Sequence, residues 1–125
     1  MDLCWIPDHL AVARLSTGSS IPEAANSQIL CLLQTQGETT LVCEWSSVAP
    51  DHEAAGPWRA FRVVGRLEFW QTGILAALAA PLADAQISLF ALSTYETDYL
   101  LVPSDRALDA AIRLREAGHA LDDPS

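Results

Sequence analysis

From Phe69 to Val102 the chain reads FWQTGILAALAAPLADAQISLFALSTYETDYLLV, and this stretch decides the fold. Thr72 is suited to cap a helix. Ile74, Leu78 and Leu82 then recur at helical spacing with Leu75 beside them, which predicts an amphipathic helix over Gly73 to Ala85. Pro81 removes one backbone donor and crowds the carbonyl four residues earlier, so a kink is expected near Ala77. Ile87 to Leu92 alternates and is β-branched or aromatic in part, and Asp98 to Val102 is expected as a second strand. Ser93 to Thr97 is short enough to join them as a hairpin.

Working outward, Trp58 to Val64 predicts a strand before the helix, with Trp58, Ala60, Arg62 and Val64 on one face and Arg59, Phe61 and Val63 on the other. After the hairpin, Pro103-Ser104-Asp105 starts a second helix that turns Ala107, Leu108, Ala111, Ile112 and Leu114 inward and stops at Gly118. A last strand is reduced to His119 to Leu121 or missing. This order, β, α, β, β, α and a remnant of β, is an α+β, ferredoxin-like βαββαβ module.

The first half reads as mainly β. Leu3 to Ile6 and Leu10 to Leu15 are apolar runs broken at Pro7-Asp8, which predicts a hairpin or a bent strand pair. Ile21 to Ala25 fits one helical turn with Pro22 in its first positions. Gln28 to Gln34 and Thr39 to Glu44 are strand-like, joined by Thr35 to Glu38. Ala49 to Pro57 gathers prolines, glycine and charge and predicts a loop between lobes. The expected organisation is a mainly-β half over 1–56, a module over 57–121 and an acidic tail over 122–125.

Composition narrows the function classes. Of 125 residues 50% are apolar and 18% charged, enough for a packed core. Sixteen acidic residues against seven basic ones leave a charge of -9, which argues against nucleic acid and anionic membrane surfaces as partners. All basic residues are arginine, which excludes a Schiff-base lysine and a lysine-dependent phosphate loop. The apolar run Gly73 to Ala83 is too short to span a bilayer and is interrupted by Pro81. No secretory pattern follows Met1-Asp2, so a cytoplasmic location is expected.

Cys4, Cys31 and Cys43 are odd in number and widely spaced, and read as buried small residues rather than a disulfide or zinc framework. His9, His52 and His119 fall in or near expected turns and read as solvated. No metal site and no cofactor are implied. Nothing resembles a nucleophile elbow, which leaves a cysteine hydrolase as a remote third reading.

Two connections are expected at one end of the sheet: Glu68 to Gly73 and Ser93 to Asp98. The helix start at Thr72, Gly73 and Ile74 offers free amides to a carboxylate, and Gly73 serves either ligand approach or close helix packing. Glu96 and Asp98 suit an ammonium or guanidinium group. Tyr95 sits on the same loop, whereas Trp58 and Trp70 read as core or interface aromatics.

These residues carry a resemblance. Thr72-Gly73-Ile74-Leu75, Leu82 to Phe90 and Leu92 to Val102 together resemble the ACT domain family, in the branch shared by CASTOR-type arginine sensors, aspartokinase regulatory domains and small stand-alone bacterial members. The likeness is densest over Trp58 to His119, while Trp58-Arg59 and Ile21-Pro22 extend it toward an ACT-like first half. The resemblance implies a regulatory module without catalysis, often tandem or dimeric, that binds an amino acid between the first helix and the following hairpin. On that basis Thr72, Gly73 and Ile74 correspond to the ligand-facing turn, and Thr94, Tyr95 and Asp98 to the loop that closes over the ligand. Two positions depart from the family form. Gln86 stands where glycine is common, implying a less standard turn, and Trp70 stands where a small polar residue is common, implying a narrowed pocket. The competing reading is a ligandless module that dimerises by sheet extension.

Overall fold

The computed structural model describes residues 1–15, 28–49 and 52–125, and the helical turn expected over Ile21 to Ala25 lies outside them. The strands are β1 (Leu3–Arg14), β2 (Cys31–Gln34), β3 (Thr39–Glu44), β4 (Glu53–Val63), β5 (Phe90–Ser93) and β6 (Asp98–Pro103). The helices are α1 (Ile74–Asp84) and α2 (Ala107–Glu116). The chain packs as two units, one of Asp8–Trp58 and one of Met1–Pro7 with Arg59–Ser125.

In the second of these units the strand order is β1-β4-β6-β5. β4, α1 and β5 form a split crossover with β6 between the two strands, and β5 pairs antiparallel with β6 from Phe90↔Leu101 to Ser93↔Asp98. This is the expected ferredoxin-like α+β order. The module's own last strand shrinks to one parallel bridge, Asp2↔Ala120, and the start of β1 flanks β4 on that side. An otherwise bare strand edge is thereby covered.

Leu78 and Leu82 of α1 and Ala107, Ala110, Ala111 and Leu114 of α2 pack with Leu3, Phe61, Val63, Leu100 and Val102 of the strands. The spacing 107, 110, 111, 114 is one helical face. It corrects the expected stripe, since Leu108 and Ile112 are exposed. The small alanines let α2 lie close on its neighbours, so the apolar face is set by size as well as by hydropathy.

Four further expectations change. The Thr72 cap is not used: Gly73 is the N-cap residue, and no side chain caps α1. β5 starts at Phe90 rather than Ile87. Pro81 lies inside α1, where its ring nitrogen has no hydrogen to give the Ala77 carbonyl, and His119 Nε2 stands 3.3 Å from that oxygen. His119 is therefore half-buried and engaged, not solvated. Cys31 and Cys43 are half-buried and buried, whereas Cys4 is exposed in β1.

The tail is fastened to the same unit. Arg115 donates to the Leu121 carbonyl and to Asp123 (both 2.7 Å), and Trp5 Nε1 donates to the Asp122 carbonyl at 2.7 Å. Buried Arg59 donates to the carbonyls of Ser125 and Ile6 and lies over the Trp5 ring.

In the unit Asp8–Trp58 the strand order is β2-β3-β1, with β2 and β3 joined at Thr35 to Glu38 as expected. The turn expected at Pro7-Asp8 does not form, because β1 runs through it as one strand. Proline's fixed φ suits an extended strand, and the Asp8 carboxylate is buried, accepting the amides of Gln28 (2.7 Å) and Ile29 (3.4 Å). The loop expected over Ala49 to Pro57 also becomes strand from Glu53 onward. Gly56 is there for close approach: a Cβ would come within 2.9 Å of the Leu10 carbonyl oxygen, and its φ is +139.

Candidate functional site

Beyond β4 the chain is tied to the β5–β6 connection before it reaches α1. Leu67 N–H donates to the Glu96 carbonyl at 2.6 Å, and the buried Thr97 hydroxyl donates to the Val63 carbonyl at 2.8 Å. Thr94 closes the connection on itself: its amide donates to the Thr97 carbonyl at 2.9 Å, and its hydroxyl accepts the Thr97 amide at 3.2 Å. At the far end Ser93 Oγ donates to Asp98 Oδ1 at 2.7 Å. These bonds hold the 93–98 connection opposite the start of α1.

Between them lies a cleft of about 320 Å³. Of the six residues expected at the site, Gly73, Ile74, Thr94, Tyr95 and Asp98 line it, and Thr72 does not. Gly73 sits at φ +77, and a Cβ built on it meets nothing within 4 Å. Close helix packing is therefore not its role; the turn into α1 needs a left-handed residue. Gly73→Ala is expected to cost about 1–2 kcal/mol from backbone strain alone. Gly73→Asn, which tolerates that conformation, is expected to cost less. Urea unfolding of the two variants checks the ranking.

The cleft is electrically two-sided. The first helical bond at this end is Ala77 N–H to the Gly73 carbonyl at 2.9 Å, so the amides of Ile74, Leu75 and Ala76 lie ahead of the ladder. No side chain caps them and no acidic residue stands in the first turn, which leaves the positive end of the helix unneutralised. Glu68, Glu96 and Asp98 bring carboxylates to the lining, and Leu67, Phe69 and Leu75 give it apolar wall. Such an arrangement suits a zwitterion: a carboxylate on the amides, a cation near the acids.

Sequence reasoning passed over Glu68 as a lining residue and Thr97 as the loop's anchor. The Thr94 to Thr97 spacing signals the turn, in which the Thr94 hydroxyl meets the Thr97 backbone, but the bond of the Thr97 hydroxyl to the Val63 carbonyl has no local signal. Trp70 is 77% exposed and absent from the lining, so it neither joins a core nor narrows the cleft. Gln86 takes a left-handed backbone, φ 57, at the end of α1, so the turn keeps a conformation that glycine accepts more readily. Burial, with Glu44 adding to it, pushes the Cys43 thiol up, away from the thiolate a nucleophile needs. Among the described residues no group of His, Cys, Asp or Glu is arranged to hold a metal ion, and no helix is long and apolar enough to cross a membrane.

Comparison with known proteins agrees with the geometry. A solved structure from Agobacterium tumefaciens is similar over 97% of this chain and 91% of its own, at 31% identity and a TM-score of 0.85. The regulatory subunit of aspartate kinase from Thermus thermophilus shares the fold at 12% identity, with a TM-score of 0.62 over 93% of this chain and 97% of its own. The human protein named cytosolic arginine sensor for mTORC1 subunit 1 is 47% identical over 49 residues, 38% of this chain. That match spans only 15% of the human protein, and the corresponding rat match 21% of the rat protein. The family model for the ACT domain matches residues 53–116, from the start of β4 to the end of α2 and across the whole cleft. With the split crossover, the hairpin and the helix start all inside that match, the chain belongs to the ACT domain family.

Proposed function

We propose that this chain is a non-catalytic regulatory module that binds a free amino acid with a cationic side chain in the cleft between α1 and the 93–98 connection. The observation that carries this reading is the opposition of uncapped helix amides to the carboxylates of Glu68, Glu96 and Asp98. The ligand's carboxylate meets the amides near Gly73 and Ile74, its cation meets the acids, and Thr94 and Tyr95 close beside it. Thr72 supplies the turn without lining the cleft. The name of the mammalian relatives, cytosolic arginine sensors, favours arginine among cationic ligands, and the cytoplasm is the compartment proposed. Regulation follows if the ligand binds one arrangement of a dimer or partner complex better than another.

Calorimetric titration of L-arginine and of L-citrulline, its uncharged counterpart, tests the reading. Saturable arginine binding with citrulline clearly weaker is expected. Absence of saturation by any of the twenty amino acids at millimolar concentration, on protein confirmed free of ligand, would sink it.

A second reading is an assembly module that needs no ligand. It is favoured by edge strand β2, where Leu32 and Leu33 are 44% and 61% exposed. Under it, sedimentation shows a dimer that Leu33→Lys dissociates and that arginine leaves unchanged.

A further inference from the structure

An aromatic ring lining the cleft already carries a cation. The Arg66 guanidinium carbon stands 5.6 Å from the centroid of the Tyr95 ring, above its face. Phe69 meets the same ring edge-on at 5.0 Å and 89°, which steadies it. The bond from Leu67 N–H to the Glu96 carbonyl fixes the backbone next to Arg66 against the backbone next to Tyr95, so the pairing is built by the fold. Tyr95 is 68% exposed and lines the cleft. Among the described residues the ion pairs are Arg106–Asp109 and Arg115–Asp123, and neither uses Arg66. Glu68, two residues further on, and Glu96, whose carbonyl accepts the Leu67 amide, line the cleft instead.

We propose that Arg66 is a tethered competitor for the cationic ligand, a residue that sets how much ligand the site needs. The proposal rests on the reading of the cleft as a site for a cationic amino acid. An incoming guanidinium or ammonium group gains most by lying on an aromatic face while facing the acids, and Arg66 holds one face of that ring. Its positive charge also offsets part of the negative lining. Arg66 is not itself among the lining residues, so it acts through the Tyr95 ring it covers and through its charge. A cationic ligand meets a ring already engaged by one cation, whereas an uncharged ligand of the same shape meets neither penalty. The result is a weaker, higher-threshold response to cationic amino acids than the carboxylates alone would give.

The test is calorimetric titration of L-arginine and L-citrulline into the full chain, its Arg66→Ala variant and its Arg66→Lys variant. An exposed cation on an aromatic face is worth a modest amount, so Arg66→Ala is expected to tighten arginine binding by about two- to fivefold. Citrulline binding is expected to stay within experimental scatter. Arg66→Lys, which keeps the charge and loses the flat stacking, is expected to fall between the two. If arginine binds the parent chain and Arg66→Ala binds it no more tightly, this proposal falls while the cleft reading stands. Equal weakening of both ligands also overturns it, because Arg66 would then be holding the ligand's carboxylate. If neither amino acid binds any of the three proteins, the cleft reading and the proposal fall together. Arginine binding seen only after Arg66→Ala supports the proposal in its strongest form.

Discussion

Phe61→Ala is expected to destabilise the chain by about 3–5 kcal/mol, the range for deleting a fully buried phenylalanine. Phe61 is 0% exposed on β4, and the Trp5 ring meets it edge-on at 5.5 Å and 81°. Val63 on the same strand face is 3% exposed, and α1 and α2 bring Leu78, Leu82 and Leu114 against this layer at 0%. Removing the ring leaves a void that rigid strand backbone cannot close, and the leucines lose contacts on one side. Against a total stability of about 5–15 kcal/mol for an ordinary domain, this is a large fraction. Urea unfolding followed by circular dichroism measures it. Phe61→Leu, which keeps much of the volume, is expected to cost about 1.5 kcal/mol or less. Leu75→Ala, at a residue 44% exposed, is expected to stay within about 0.5 kcal/mol of the parent. A loss below about 1 kcal/mol for Phe61→Ala would show that this layer is not the core.

The contrast between Phe61 and Leu75 marks what was legible in the sequence. Period and element order sufficed for the β, α, β, β, α core, because the spacing of Leu78 and Leu82 in α1 follows from burial on one side and the continuous apolar run Leu100-Leu101-Val102 of β6 from burial on both. The phase of α2 was not legible in the same way. Leu108 and Ile112 are more hydropathic than Ala107 and Ala110, yet the alanines are buried, because closeness of packing selected small side chains there. Local turn chemistry misled in the first half for a physical reason. Pro7-Asp8 looks like a turn, but the Asp8 carboxylate serves the distant amides of Gln28 and Ile29, and no pattern in one chain reveals that partnership. Gly56 looked like loop and is instead a strand glycine with another backbone against it.

At the site, five of the six anticipated positions share one cleft because helix start and hairpin were already placed at one end of the sheet. Thr72 is the exception, and the cause is one residue of helix phase: Gly73 takes the cap and turns Thr72 outward to solvent. The stacking of Arg66 on Tyr95 was not legible at all. It depends on the Leu67 to Glu96 bond, a backbone contact between segments about thirty residues apart in sequence, which side-chain identity does not encode.

Asp98→Asn is expected to weaken L-arginine binding by about 10- to 100-fold while leaving the fold intact. Asp98 opens β6 opposite Ser93, and its Oδ1 accepts the Ser93 hydroxyl at 2.7 Å. That bond engages one carboxylate oxygen, and under the proposed reading the second is the one that meets the ligand. Asparagine keeps the shape and can still accept from Ser93, so the substitution removes charge and little else. A hydrogen bond to a charged group contributes about 1.5–3 kcal/mol, which is the affinity loss expected when the charge goes. L-Citrulline separates charge from shape. Its neutral side chain gains little from Asp98, so its affinity is expected to change less than about threefold on the scale where each tenfold is about 1.4 kcal/mol. Ser93→Ala should give a smaller arginine loss than Asp98→Asn, because it frees the carboxylate to turn without removing it. Calorimetry on the three proteins decides the matter, with thermal unfolding as the check on folding. An equal loss for arginine and citrulline would mean that Asp98 shapes the hairpin rather than reads the ligand's charge, and Glu68 and Glu96 would then be the acids to test.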